Sequence, residues 1–288
     1  MARPLRLQFR GALYHALARG NEKSAIFLND DDCGIFLELL NRVASRHRWR
    51  LWAHCLMPNH YHLLVETMEP TLARGMRDLN GSYAQLFNRS HDRVGHLFQG
   101  RYKSLLVDRE AYLLEVARYI VLNPVRARLC SAPGDWRWSS YRASMETAVD
   151  GPALAAAELL ALFSSNRAEA RRRYATFVAS GVNVPAPAWT TACGAFLGDD
   201  DFVAASVQQA TTPSREVPRA HRAWRSLGHF ERTSTSRNDA IRVAYASGTY
   251  TLAEIARHFG LHYATVSRIA RSDRCGNTRP DPPNDLND

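Results

Sequence analysis

The sequence predicts an α+β chain: a ferredoxin-like antiparallel sheet with helices on one face, followed by an all-α extension that ends in a helix-turn-helix. Three observations predict it. Strand-length apolar runs alternate with longer stretches of helical periodicity in the first half, short turns join neighbouring strands, and beyond residue 150 only helical patterns follow.

Gly11 to Arg19 reads as a strand, and Asp30-Asp31-Asp32 offers a helix start ahead of Phe36, Leu39, Leu40 and Val43 at core spacing. Leu51 to Leu56 is the next strand, turned through Met57-Pro58-Asn59 into a third. Because a strand repeats every two residues, His60, His62, Leu64 and Glu66 share one face of it while Tyr61, Leu63 and Val65 share the other. Leu72 to Asn88 reads as a helix with Met76, Leu79, Tyr83 and Leu86 inward. Phe98 to Val107 is a further strand, leading into a helix in which Leu113, Val116, Ala117 and Ile120 recur and which Pro124 stops or kinks near Asn123. Trp136, Trp138 and Tyr141 are expected to cap this domain's core.

The organisation expected is therefore a domain over 1–150, a helical extension or linker over 151–235, a helix-turn-helix over 236–273 and a disordered tail over 274–288, the tail being rich in Asn, Asp and Pro. In the extension, Ala153 to Phe163 and Asn166 to Ala179 read as helices, Val184-Pro185-Ala186-Pro187 as a break, and Asp199 to Gln209 as another helix. No catalytic constellation appears there; packing on the first domain and clamping DNA are both open. In the last module, Asn238 to Ser247 forms a first helix ending at Gly248, and Thr251-Leu252-Ala253-Glu254 fits a capping box for a second. Leu252, Ile255, Ala256 and Phe259 point inward, Gly260 makes the turn, and Tyr263 to Arg271 is a third helix with Val266 and Ile269 inward. Its exposed face carries Tyr263, Thr265, Ser267, Arg268 and Arg271, side chains suited to groove reading and phosphate contact in duplex DNA. A helical bundle for protein contact is the alternative.

The chain has 288 residues, and 37 basic against 28 acidic side chains give 37 − 28 = +9. Such a balance favours polyanions. There is no apolar stretch of membrane-spanning length and no signal peptide after Met1, so a cytoplasmic protein acting on the nucleoid is expected, without membrane partners. Cys33, Cys55, Cys130, Cys193 and Cys275 are odd in number and scattered, which fits neither a disulfide framework nor a zinc knuckle.

The chemistry concentrates in two segments. His60 and His62 point from one strand face at the same spot, as ligands of a metal would. Tyr119 and Asn123 lie four residues apart and emerge on one side of the later helix. If that side faces the histidine strand, the ensemble is a metal held by two imidazoles and a carboxamide, with a phenol beside it. A free phenol titrates near 10 and is a poor nucleophile, but a cation and a phosphate held in line make its attack feasible. This suggests phosphodiester cleavage with a covalent phosphotyrosine. Among the other tyrosines, Tyr61 points to the opposite strand face, and Tyr112 has Val116 rather than a ligand-type residue four positions on. Glu66 shares the histidine face, too far along the strand to be a ligand.

Arg3-Pro4-Leu5-Arg6, Tyr14-His15, Arg19-Gly20-Asn21, the run Met57 to Glu66, Gly95-His96-Leu97-Phe98-Gln99-Gly100-Arg101-Tyr102 and the run Tyr119 to Ala127 occur in an order that resembles the REP-associated tyrosine transposases, single-tyrosine transposases of the HUH nuclease class. The resemblance covers roughly the first half of the chain. It implies single-stranded DNA cleavage and rejoining, with His60 and His62 as the paired ligands, Asn123 as the third ligand and Tyr119 as nucleophile. It also implies Mg2+ or Mn2+ rather than zinc, and hairpins of repeated extragenic palindromes as substrate. Tyr61 is a mild departure, since the middle residue of the motif is usually wholly apolar. The helix-turn-helix resembles one appended to some transposases of this kind.

For the DNA, Arg10, Arg19, Arg74, Arg77, Arg89, Arg93, Arg101 and Lys103 supply positive charge, with Phe87, His96 and Phe98 interleaved to stack unpaired bases. Arg118 and Arg126 flank the tyrosine helix and are expected to touch the cleaved strand. The expected protein is a metal-dependent single-stranded DNA endonuclease and strand transferase, monomeric or homodimeric. The alternatives are a non-catalytic DNA-binding regulator with a vestigial nuclease site, and a zinc hydrolase, which lacks a further His or Cys at a recognised spacing.

Overall fold

The computed structural model describes residues 7–146, 154–186, 195–210, 226–246, 250 and 252–271. Arg3-Pro4-Leu5-Arg6, Pro187, Gly248, Thr251 of the expected capping box, the tail after Ser272 and the side chain of Arg271 lie outside the described residues. The chain divides into two compact units, one over residues 6–214 and the other beyond them.

The first unit is built on a sheet of β1 (Ala12–Arg19), β2 (Trp49–Met57), β3 (His60–Thr67), β4 (Lys103–Val107) and β5 (Phe196–Leu197), in the spatial order β2-β3-β1-β4-β5. The first four strands pair antiparallel, whereas β5 runs parallel to β4. The sheet is thus mixed rather than antiparallel throughout, because a two-residue strand from the helical extension joins its edge. β4 is shorter than the run from Phe98 predicts. Gly100 adopts φ +78°, a turn conformation that breaks the extended run, and Phe98 makes only an isolated bridge with Gly20.

Helices cover both faces, not one. α1 (Asp30–His47) and α2 (Leu72–Ser90) lie against the face formed by Ala12, Tyr14, Ala16, Leu51, Tyr61, Leu63 and Val65. α1 starts where Asn29 Oδ1 accepts the Asp32 amide at 2.9 Å, with three aspartates in its first turn facing the positive end of the helix dipole. It is tied to α2 and the residue after it by His47–Asp78 and His91–Asp32 contacts of 2.9 and 2.8 Å.

The opposite face, carrying Leu13, Cys55, Met57, Leu64 and Val107, is covered by α3 (Arg109–Val121) through Leu113, Val116, Ala117 and Ile120. Leu113, Val116 and Ile120, buried, each contribute about 1.5–3 kcal/mol. α4 (Asn123–Arg126) follows directly, and α5 (Ser140–Met145), α6 (Ala156–Ala161) and α7 (Arg167–Ala179) complete this layer, with Leu159, Leu160, Ala170, Tyr174 and Val178 in the same core. Ala155 N donates to Leu51 O at 2.7 Å. The start of the extension therefore packs on the sheet. α8 (Asp200–Gln209) follows β5, capped by Asp199 as the helix signal predicts. Trp136 and Tyr141 pack in the second core and Trp138 in the first, as expected of caps.

The second unit gathers α9 (Leu227–Thr233), α10 (Arg237–Ala246), α11 (Leu252–His258) and α12 (Tyr263–Arg271) around Phe230, Ala240, Ile241, Ala244, Ile255, Ala256 and Val266. Leu252, Phe259 and Ile269 also pack inward, and Gly260 at φ +62° makes the turn before α12. No described helix is long and apolar enough to cross a membrane.

Candidate active site

The histidine strand is anchored at its first residue. Gly20 N donates to Asn59 O at 2.8 Å, Ile26 N and Phe27 N donate to Pro58 O at 2.8 and 3.1 Å, and Asn59 Nδ2 donates to Lys23 O at 3.0 Å. The segment after β1 thus holds the Pro58-Asn59 turn from which β3 begins. Register then sets what lies beside the histidines. His60 is paired with Arg19, His62 with Leu17, and Leu17 in turn with Lys103. All share one sheet face.

His60 Nδ1 donates to Asn59 Oδ1 at 2.6 Å, since an amide oxygen can only accept. His62 Nδ1 lies 2.9 Å from Nε2 of His15, and those two rings stack with centroids 5.1 Å apart and planes 24° apart. His60 and His62 have centroids 5.0 Å apart. Burial removes solvation from the charged imidazolium. It lowers His15 to about 4 and, with Arg19 adding repulsion, His60 to about 4. His62 falls well below its ordinary value through burial, then through His15, His60 and Arg19. The site holds neutral imidazoles.

α3 brings the phenol to them. Its start is fixed by Asp108 Oδ1, which accepts from Glu110 N and Ala111 N at 3.1 and 3.5 Å. Its apolar stripe then turns Tyr119 toward the histidine face. The Tyr119 ring meets His62 edge-on at 5.8 Å and His15 at 5.9 Å. At the junction with α4, Asn123 Nδ2 donates to Tyr119 O and Ile120 O at 3.0 and 3.3 Å. Burial raises Tyr119 above its ordinary value, against the pull of Arg126, Asn123 and Arg19.

Tyr119 therefore stands against His62 and His15, with His60 beside His62, Asn123 one helical turn beyond Tyr119, and Arg19 and Lys103 exposed along the histidines' strand face. Arg101 is exposed in the turn before β4. Arg74 and Arg77 project from α2, which packs on the other face of the sheet, so the fold does not bring them to this site. Arg118 and Arg126 are engaged within the protein: Arg118 donates to Phe177 O and Ser180 Oγ, and Arg126 to Tyr119 O and Gly181 O. Arg126 also lies over the Tyr119 ring, 5.3 Å from its centroid. Tyr61 is buried among Phe36 and Phe98 and donates to Asn80, and Glu66 is held by Trp52 Nε1 at 2.9 Å. In the second unit, Tyr263 and Arg268 are exposed and Thr265 and Ser267 half-buried on α12.

Sequence reasoning did not place His15 in the site. The signal was available: Leu13, His15, Leu17 and Arg19 alternate on β1, so His15 shares its face with Arg19.

Among the described residues no three His, Cys, Asp or Glu side chains come together as a metal site. The imidazoles of His60 and His62 are the donors this face offers, and Asn123 follows one turn beyond Tyr119. With both Nδ1 atoms engaged, the Nε2 atoms of His60 and His62 are the ones left to bind. Two imidazole nitrogens fit a divalent first-row cation and would leave its remaining positions open for phosphate oxygens and water.

Residues 8–123 match the family described as IS200-like transposases. Among solved structures, the chain is similar to the REP-associated tyrosine transposase bound to a REP hairpin, at 16% identity over 53% of this chain and 96% of that one, with a TM-score of 0.44. It is also similar to a protein of Deinococcus radiodurans R1 described provisionally as a transposase, at 19% identity over 41% of this chain and 84% of that one, with a TM-score of 0.29. No curated protein matches the sequence.

Proposed function

We propose, from the match of residues 8–123 to the IS200-like transposase family and from the site's geometry, that the protein cleaves and rejoins single-stranded DNA through a covalent 5′-phosphotyrosine on Tyr119, with His60, His62 and Asn123 holding Mg2+ or Mn2+. The observation that carries this reading is the Tyr119 ring set edge-on against His62, with centroids 5.8 Å apart. When bound, the cation supplies polarisation of the scissile phosphate.

The rest falls to the chain itself. Tyr119 Oη forms a bond to phosphorus as the bond from phosphorus to the 3′ oxygen breaks, and the phenol's proton is balanced by the one the 3′ oxygen takes up through solvent. The phosphodiester is exchanged rather than hydrolysed, so a second 3′ hydroxyl can reverse the step and join new ends. Asn123 fixes the phenol relative to the helix backbone, and Arg19 and Lys103 offer charge to the strand's phosphates. The substrate we assign is a single-stranded hairpin with a short flanking recognition sequence. α12, with Tyr263, Thr265, Ser267, Arg268 and Arg271, is assigned to duplex DNA as the last helix of a helix-turn-helix.

The test is incubation with Mn2+ or Mg2+ and end-labelled single-stranded hairpins from the repeats of the same genome. The expected product is a protein–DNA adduct that survives denaturation and disappears with EDTA. Duplex binding without any adduct would replace this reading with a DNA-binding regulator whose nuclease site is vestigial.

A further inference from the structure

His15 is 3% exposed, sits on the strand next to the histidine strand, and touches both His62 and Tyr119. Two imidazole nitrogens 2.9 Å apart share one proton, so either His15 Nε2 or His62 Nδ1 is the donor. The choice fixes the far side of His62. A neutral imidazole that donates from Nδ1 has a lone pair on Nε2; one that accepts at Nδ1 carries its proton on Nε2 and cannot bind a cation there.

His60 shows which arrangement the site is built for. Its Nδ1 donates to Asn59 Oδ1, and the amide is oriented by its own donation to Lys23 O, so His60 Nε2 holds a lone pair. For His62 to match it, His15 must accept. We infer that His15 is a positioning residue: its Nε2 accepts the Nδ1 proton of His62, holding that ring in the tautomer whose Nε2 can bind a divalent cation, while its own proton resides on Nδ1. This rests on the assignment of His60 and His62 as ligands. An imidazole whose other nitrogen is held by a hydrogen-bond partner is the usual support of a bound metal, and losing the partner typically costs 10–100-fold in affinity. Here the partner is another histidine, and its stacked ring also blocks rotation of His62.

The tautomer can be read directly on the unaltered protein by long-range 1H–15N correlation of the imidazoles, with no DNA, metal or activity involved. The expected result is His62 protonated on Nδ1 and His15 likewise on Nδ1. Finding His62 protonated on Nε2 overturns the inference. A second measurement is Mn2+ affinity by calorimetry for His15→Phe, which keeps a ring but no acceptor, and His15→Gln, which restores an oxygen near the place of Nε2. We expect a 10–100-fold loss in His15→Phe and recovery in His15→Gln. Equal affinities in all three proteins would also overturn it. Should hairpins give no adduct while the tautomer and affinity results hold, the phosphotyrosine reading fails and the positioning role of His15 stands.

Discussion

Asn123 Nδ2 donates to the backbone oxygen of Tyr119 at 3.0 Å, with the amide one helical turn beyond the phenol. The amide therefore serves the end of α3 and stands on the phenol's side of the helix. Asn123→Ala should slow adduct formation by about 10–100-fold, the usual effect of losing a group that orients or ligates. Stability should fall by only about 1 kcal/mol, for hydrogen bonds at a helix end. Single-turnover kinetics and a urea titration separate the two; a large stability loss with unchanged kinetics would make Asn123 a cap alone.

Gly20 has an ordinary φ of −59°, so its requirement is spatial. A Cβ there would lie 2.1 Å from Ser24 O and 2.9 Å from Ile26 Cγ2. Gly20→Ala should cost about 1–3 kcal/mol or more and should weaken Mn2+ binding, because the Gly20 amide holds Asn59 O at the start of the histidine strand. Thermal unfolding and calorimetry check both parts, and a fully stable variant with unchanged metal affinity would refute the link.

Arg118 was expected at the DNA but is spent on α7. Its guanidinium donates to Phe177 O and Ser180 Oγ, each at 3.3 Å, and lies 4.3 Å from the Phe177 ring centroid. Arg118→Ala should lower stability by roughly 1–2 kcal/mol and leave hairpin affinity at high enzyme stability unchanged. Filter binding at two salt concentrations would expose a phosphate contact as a reduced salt slope, contrary to expectation.

His54 gives a pH dependence. Its Nδ1 is sealed from solvent with no hydrogen-bond partner among the described residues, and burial lowers its pKa from 6.5 to about 4. The folded state therefore prefers the neutral ring, whereas the unfolded chain takes up a proton near pH 6.5. The contribution is complete above that pH and is lost progressively down to about 4, by roughly 1–3 kcal/mol. Urea unfolding followed by tryptophan fluorescence should show a flatter decline between these pH values for His54→Gln than for the parent. Parallel declines would contradict the assignment.

On α12, Arg268 and Tyr263 are both exposed. If that face meets duplex DNA, Arg268→Ala should weaken duplex binding and reduce the salt slope by about 1 for a phosphate contact, without affecting single-strand cleavage. Unchanged duplex affinity would point to a protein-binding helical bundle instead.

Much of this was legible in the chain because it depends on local periodicity. The two-residue repeat put His60 and His62 on one face, and the helical spacing of Leu113, Val116 and Ile120 turned Tyr119 and Asn123 together. What escaped depends on pairing between distant segments. His15 reaches His62 only through the β1–β3 register, across 47 residues of sequence. β5 is two residues long and carries no pattern. The expectation of helices on one face failed although a sign was present. Leu63, Leu64 and Val65 form an unbroken apolar run, and all three are fully buried, as in a strand covered on both sides.

The most direct measurement is the chemical identity of the linked residue. The hairpin adduct formed with Mn2+ would be trimmed with nuclease and protease, and the nucleotide-bearing peptide sequenced by mass spectrometry, beside a Tyr119→Phe variant. A 5′-phosphonucleotide on Tyr119 and no adduct in the variant are expected. Attachment to Tyr112, or an adduct that persists in Tyr119→Phe, would contradict this expectation.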